Sequence, residues 1–277
     1  VHTGDSHVQN DIYPGKVRER LSEIHGEGGR GMVFAYSTAK SYSSIHYETE
    51  HEGEWTWGKT MSIPPKIPIG VMGMSSHTED TTAEFTIRFR NELPAEYTLL
   101  KIFCKQSDRS FDITIENGDT SYTVAIDTNL SDLPYIPVEI AVPSEEFRVL
   151  INKTAPDQEF FEFYGMSIER PENTGLIYHS VGVGASRFRG ILYSELFVDH
   201  LKVLEPDMVI LDFGTNDYLY NDKIAPELED QIVEIIRKVR ESAPKTAILL
   251  TSTQDLYYRR RNIQSGTDFT KLIRRLA

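Results

Sequence analysis

The sequence has few features that would cross-link the chain, anchor it in a membrane or bind it to nucleic acid. It contains one cysteine, Cys104, which excludes an internal disulfide and a cysteine-based zinc site. No apolar run approaches the roughly 18 residues of a membrane span. Basic residues number 29 against 42 acidic ones, a net charge of −13, and a phosphate-backbone partner needs clustered cations. We therefore expect a soluble globular protein with no nucleic-acid partner, in which Cys104 is a buried thiol.

Changes of periodicity divide the chain into three parts. Residues 1–51 begin with a short strand and the turn GDSH, followed by a helical pattern from Tyr13 to Ile24 that the glycine-rich stretch HGEGGRGMVF ends. Between residues 52 and 170 the apolar period is two, as in TAEFTIRFR, and Asn117-Gly118 marks a hairpin. This long stretch without a helical pattern predicts an antiparallel β-sandwich.

Strands and helices alternate between residues 171 and 277. PDMVILDFGTND reads as a buried strand, and an amphipathic helix that opens at Pro226 leads to the strand TAILLTST. Thr267 or Asp268 is predicted to cap a last helix. The alternation predicts a parallel sheet flanked by helices. Residues 1–51 and 171–277 would then form one α/β domain, interrupted by the inserted sandwich of residues 52–170.

Both chain ends are abrupt for a parallel sheet. Only three residues precede the first turn, and the last helix runs to Ala277 with no glycine, cap or further strand after it. Because a sheet that ended there would expose an edge that proteins normally cover, we expect the sequence to be shortened at both ends and to lack a C-terminal part of the α/β domain.

Three clusters of small or polar residues follow strands of the α/β domain: GDSH at 4–7, GVGAS at 182–186 and GTND at 214–217. Parallel strands bring their carboxyl ends to one sheet edge, where ligands of open α/β sheets bind. There Ser6 could attack an ester, and its backbone N–H, one from the glycine turn and the Asn216 side-chain amide could stabilise the oxyanion. Each cluster alone is also an ordinary turn, but their shared edge favours acyl transfer.

Three further residues flank this predicted site, and we assign Asp5, His7 and Asp217 to substrate binding. Asp5 and Asp217 could instead cap turns, and the three have no recognised metal-ligand spacing, so we predict no metal. Four aromatic residues near the start of the insert could form a sugar-stacking platform or belong to the core: Tyr42, Tyr47, Trp55 and Trp57.

The stretches GDSH, GVGAS and LDFGTND resemble the first three sequence blocks of the GDSL/SGNH hydrolase superfamily of serine esterases. The match is closer to polysaccharide O-acetylesterases, including peptidoglycan-type enzymes, which carry a carbohydrate-binding-like β-sandwich between the first and second blocks. The resemblance implies that Ser6 is the nucleophile and Asn216 the side-chain donor. It implies Gly184 as the backbone donor of the second block, with Gly182 or Ala185 as alternatives.

The same resemblance implies an Asp-x-x-His pair near the C-terminus, whose histidine is the general base. This chain has no histidine after His200, and we expect the base in the missing C-terminal part. The implied activity is removal of O-acyl groups, O-acetyl in particular, from a polysaccharide in the periplasm or outside the cell, without a cofactor. A non-catalytic carbohydrate-binding or surface protein on the same fold and an O-acyltransferase are the alternatives. The sequence does not indicate the acyl group, the polymer or the oligomeric state.

Overall fold

The computed structural model describes residues 1–126, 133–172, 174–219, 223–254 and 256–277. The helices in these ranges are α1 (Ser6–Gln9), α2 (Ile12–His25), α3 (Phe188–Leu192), α4 (Phe197–Leu204), α5 (Thr215–Tyr218), α6 (Leu228–Ser242) and α7 (Ser265–Leu276). The strands are β1 (His2–Gly4), β2 (Glu27–Val33), β3 (Tyr47–Glu52), β4 (Thr56–Lys59), β5 (Met74–Thr78), β6 (Glu84–Phe89), β7 (Leu99–Cys104), β8 (Asp112–Asn117), β9 (Thr120–Val124), β10 (Tyr135–Glu139), β11 (Glu146–Asn152), β12 (Phe161–Glu169), β13 (Leu176–Ile177), β14 (Ser180–Gly182), β15 (Met208–Asp212), β16 (Ala247–Leu250), β17 (Tyr257–Tyr258) and β18 (Arg261–Asn262).

A four-stranded parallel sheet in the order β14–β1–β15–β16 joins the first and last parts of the chain. Gly4, at the end of β1, lies opposite Gly182 of β14 on one side and Asp212 of β15 on the other. The three clusters that follow these strands therefore leave the sheet at one edge, as predicted. The parallel sheet and its helices confirm the α/β part of the predicted fold.

Two larger sheets form the predicted sandwich. A five-stranded antiparallel sheet has the order β3–β6–β11–β8–β9, and the β8–β9 hairpin turns at Asn117-Gly118 as predicted. The other sheet runs β10–β7–β12–β2–β13, with β5 on β12 and β4 on β5. Phe85 of β6 and Phe163 of β12 meet between the sheets with ring centroids 4.8 Å apart, so the inner faces share one core.

Strand β2 departs from the predicted local structure. The glycine-rich stretch after the first helical pattern indicates a loop when read locally, yet residues 27–33 form a strand that pairs antiparallel with β12. β12 is buried along its whole length, and pairing with it stabilises a strand that its three glycines disfavour, since strand preference depends strongly on tertiary context. The boundaries 1–51, 52–170 and 171–277 stay a prediction, and the sandwich sheets also take in β2 and β3, which begin before residue 52.

The α/β domain packs on the sandwich through α4. The ring of His200, which is 1% exposed, lies 5.4 Å from Tyr164 of β12 and 5.0 Å from Phe103 of β7 between centroids. Burial lowers the pKa of His200 to about 3, so the ring is neutral at neutral pH. Cys104 at the end of β7 is buried as predicted, and burial raises the pKa of its thiol to about 12.

The two long C-terminal helices are amphipathic, as predicted. In α6 the apolar stripe is buried, including Ile232, Ile235 and Val239. The predicted cap of α7 is wrong, because Thr267 and Asp268 lie inside a helix that begins at Ser265. The N–H groups of residues 266 and 267 donate to the backbone carbonyls of residues 263 and 264, and the residue before the helix makes no side-chain cap. No helix within the described ranges is long and apolar enough to cross a membrane.

Candidate active site

Asp5 joins the first and third sequence clusters at the edge of the parallel sheet. It is the N-cap of α1, and its Oδ1 accepts the backbone N–H of His7 at 3.0 Å and lies 2.9 Å from Nδ1 of that ring. Its Oδ2 accepts a hydrogen bond from Nδ2 of Asn216 at 2.9 Å. Nδ2 of Asn216 also donates to the carbonyl oxygen of Ser186 at 3.1 Å. Side-chain hydrogen bonds therefore tie all three clusters around Ser6, the first residue of α1.

Gln9 makes a second connection, between α1 and the glycine turn. The backbone N–H of Gly184 donates to Oε1 of Gln9 at 2.6 Å. Gly182 allows this close approach, because a methyl group there would lie 2.2 Å from the backbone nitrogen of Gln9. Gly184, the first choice for the backbone donor, therefore lies beside α1, and its N–H is bonded to Gln9. Ala185, one of the alternatives, has a left-handed φ of 61°.

Asp217 is a buried carboxyl group behind Asn216. It is 8% exposed, and its Oδ2 has no hydrogen-bond partner among the described residues. Burial raises the pKa of Asp217 to about 7, and the charge of Asp5 adds to this rise. Interaction with the backbone N–H of Phe188 and with the charge of Arg187 opposes it. Asp217 thus lies beside the first residue of α3 and is shielded from solvent. This position fits a structural role better than direct contact with a substrate.

Tyr42 is a residue of the site that the sequence analysis did not assign there. Its loop lies between β2 and β3, and its hydroxyl group lies close to the Ser6 side chain. A methyl group added to Gly184 would lie 2.8 Å from that hydroxyl oxygen. No spacing in the sequence indicates this contact, because 36 residues and a sandwich strand separate Tyr42 from Ser6.

The other aromatic residues of the proposed platform belong mostly to packing. Tyr47 is buried and stacks on Tyr36 with centroids 5.7 Å apart, so of the two alternatives it belongs to the core. Trp55 packs edge-on against Phe85 in the sandwich core. Trp57 has the ammonium group of Lys59 over its ring at 4.5 Å.

The histidines have partners other than Ser6. His7, which follows Ser6, faces Asp5, and His179 accepts a hydrogen bond from the backbone N–H of Met32. His2 is buried against Asp212, with 3.0 Å between Nε2 and Oδ2. Burial opposes ionisation of Asp212, but hydrogen bonds from His2 and Thr251 lower its pKa overall. Within the described ranges, no histidine forms a hydrogen bond with the Ser6 side chain, and none is placed as its base.

No group of three or more histidine, cysteine, aspartate or glutamate side chains in the described part of the chain could hold a metal ion. What the geometry offers is a serine at the start of a helix with hydrogen-bond donors close by. These are the Ser6 and Gly184 backbone N–H groups, the Asn216 amide and the Tyr42 hydroxyl. Such donors around a hydroxyl nucleophile suit addition to a carbonyl carbon.

Comparison with known proteins finds no matching family model and no matching curated protein. Among solved structures, a peptidoglycan O-acetylesterase is similar over 100% of this chain and 74% of its own, with a TM-score of 0.73 and 18% identity. The chain shares the fold of that enzyme. The likeness confirms, at the level of the fold, the resemblance predicted from the three sequence clusters and the inserted sandwich.

Two other solved structures align more loosely. A family two carbohydrate esterase from Cellvibrio japonicus matches 83% of this chain and 86% of its own, at 11% identity and a TM-score of 0.26. A family 32 carbohydrate-binding module of Clostridium perfringens NanJ matches 50% of this chain and 97% of its own, at 12% identity and a TM-score of 0.29. At these TM-scores neither supports a conclusion about this chain.

Proposed function

We propose that the protein is a serine esterase that removes O-acyl groups, O-acetyl in particular, from a polysaccharide. One observation carries the proposal: Asp5, Ser186 and Asn216, one from each cluster, are hydrogen-bonded around Ser6 on a fold shared with a peptidoglycan O-acetylesterase. A polysaccharide substrate fits a protein in the periplasm or outside the cell, and the proposal includes that location.

In the proposed reaction, Ser6 Oγ attacks the carbonyl carbon of the ester while a general base takes its proton. The carbonyl oxygen becomes an oxyanion that accepts hydrogen bonds from the Ser6 and Gly184 N–H groups and from Asn216 Nδ2. The sugar oxygen leaves with a proton, and water then hydrolyses the acyl-enzyme to release acetate and free Ser6. Because an oxyanion accepts more strongly than a neutral amide oxygen, it can displace Gln9 from Gly184.

The general base is the part of the proposal that rests on sequence resemblance alone. No histidine of the described residues forms a hydrogen bond with the Ser6 side chain, and the Asp-x-x-His pair that the resemblance implies stays a prediction. The lack of a histidine bonded to Ser6 among the described residues also fits the second candidate. This is a carbohydrate-binding protein that has the fold but does not hydrolyse its ligand. The two candidates differ in one respect that can be measured, which is whether acetate release depends on Ser6.

The test measures acetate released from O-acetylated peptidoglycan and O-acetylated xylan by the full-length protein. We expect Ser6→Ala to lower the rate by a factor on the order of 10³ or more, as loss of a nucleophile does. Ser121→Ala is the matched control, because Ser121 is exposed on β9 in the sandwich, and it should leave the rate unchanged. Binding of the polymer without any Ser6-dependent release would favour the second candidate, and transfer of acetyl to a sugar acceptor would indicate an acyltransferase.

A further inference from the structure

The loop that carries Tyr42 is fixed against the site by a buried side chain. Gln9 is 1% exposed, and its Nε2 donates to Oγ of Ser41 at 2.9 Å and to the carbonyl oxygen of Tyr42 at 2.8 Å. The same side chain accepts the N–H of Gly184 through Oε1. One buried amide therefore sets the position of the Tyr42 backbone relative to both α1 and the glycine turn. From this anchored backbone the Tyr42 side chain extends to the glycine turn, where its hydroxyl oxygen would lie 2.8 Å from a methyl group added to Gly184.

The hydrogen-bond donors near Ser6 are unequally available. An amide nitrogen carries two hydrogens, and both hydrogens of Asn216 Nδ2 have acceptors, Asp5 and Ser186. The N–H of Gly184 has Gln9. Two donors remain in the described structure without a competing carbonyl or carboxylate acceptor, the backbone N–H of Ser6 and the hydroxyl of Tyr42. An oxyanion that forms on Ser6 meets these two without first breaking a bond within the protein.

The phenol of Tyr42 is suited to donate and not to ionise. Burial raises the pKa of Tyr42, and the nearby charge of Asp5 raises it further, whereas the contact with Ser6 lowers it. The net effect keeps the hydroxyl proton in place at neutral pH. Asp5 and the oxyanion both carry negative charge. Each disfavours a phenolate at Tyr42, because like charges in a partly buried site repel.

We propose that Tyr42 is a catalytic residue whose hydroxyl donates a hydrogen bond to the oxyanion of the tetrahedral intermediate formed on Ser6. The inference rests on the proposed esterase function and adds a donor from the loop between β2 and β3 to the three already assigned. No proton is transferred in this step: Tyr42 keeps its proton and stabilises the charge. The residue as a whole is 52% exposed, and its aromatic ring is not required for this role.

Tyr42→Phe in the full-length protein removes the hydroxyl and keeps the ring. We expect kcat for acetate release to fall by about 10- to 1,000-fold, the range for loss of an oxyanion donor, with KM changed by less than about threefold. Tyr193→Phe, at a tyrosine that is 49% exposed, is the matched control and should behave as the unmodified protein. Urea unfolding of both variants checks that the fold is unchanged.

A second measurement needs no turnover. A small alkyl boronic acid adds to a serine hydroxyl and gives a tetrahedral anion that mimics the intermediate, and its Kd is read by calorimetry. We expect Tyr42→Phe to weaken boronate binding by a factor similar to its loss of kcat, while binding of the deacetylated polymer is unchanged. An unaltered kcat and an unaltered boronate Kd would overturn the proposal, as would a rise of KM alone, which would indicate ground-state binding. If Ser6→Ala keeps the esterase activity, the proposed function fails instead.

Discussion

Asp217 gives a prediction whose size follows from its burial. The carboxyl group is 8% exposed, one of its oxygens lacks a hydrogen-bond partner among the described residues, and burial raises its pKa from 3.8 to about 7. The substitution to make is Asp217→Asn, which keeps the shape and one carbonyl oxygen but cannot ionise. It removes the cost of holding a charge in this position and also offers a donor in place of the unpartnered oxygen.

The expected magnitude comes from the two pKa values. Because the folded protein binds this proton more tightly than the unfolded chain, deprotonation opposes folding. The unmodified protein should therefore lose stability as the pH rises from about 4 to about 7, and each pKa unit corresponds to about 1.4 kcal/mol. A shift from 3.8 to about 7 gives a loss of up to about 4 kcal/mol, which Asp217→Asn should abolish.

The assay is urea unfolding at intervals between pH 4 and pH 8, with the difference in free energy of unfolding between variant and unmodified protein as the readout. Other titrating groups are common to both proteins and cancel. We expect the two proteins to be about equal at pH 4 and the variant to be more stable at pH 8. Asp157→Asn, at an exposed loop position, is the matched control and should show no such trend. If the difference in free energy of unfolding between Asp217→Asn and the unmodified protein stayed constant with pH, a buried carboxyl group with a raised pKa would be refuted.

Two further predictions concern buried charge. Asp11→Ala removes the carboxylate that pairs with Arg18 at 2.8 Å and Arg30 at 3.0 Å, and should lower the free energy of unfolding by about 3 kcal/mol. Arg20→Ala, which breaks an exposed ion pair, should cost less than about 1 kcal/mol; equal losses would contradict this. His200→Leu should reduce acid unfolding between pH 6.5 and about 3, since the lowered His200 pKa makes the unfolded chain take up the proton first. Circular dichroism during acid titration measures the unfolding of His200→Leu and of the unmodified protein. Coincident unfolding curves for the two proteins would contradict the prediction.

The sheet edge was predictable because it depends on local signals. The strands that lead into GDSH, GVGAS and GTND are parallel, and parallel strands place their carboxyl ends together. In the structure Gly4 lies in register with Gly182 and Asp212. The sandwich was equally visible, because period-two alternation reports a half-buried strand directly.

The missed features depend on contacts between distant residues. Strand β2 is stabilised by β12, about 130 residues later in the chain, so its glycines indicate only a loop when read locally. Tyr42 reaches Ser6 because Gln9 anchors its loop, and a side-chain hydrogen bond of this kind has no sequence spacing. The position of the general base is likewise beyond what the three clusters specify.

If Ser6 is the nucleophile, it forms an acyl-enzyme that can be trapped. The full-length protein is mixed with 4-nitrophenyl acetate, quenched in acid within milliseconds to seconds, digested and analysed by mass spectrometry. We expect one acetyl group on the peptide that contains Ser6, absent from Ser6→Ala and removed from the unmodified protein as hydrolysis proceeds. Ester hydrolysis by the unmodified protein that continues in Ser6→Ala, with no acetyl group ever found on Ser6, would contradict it.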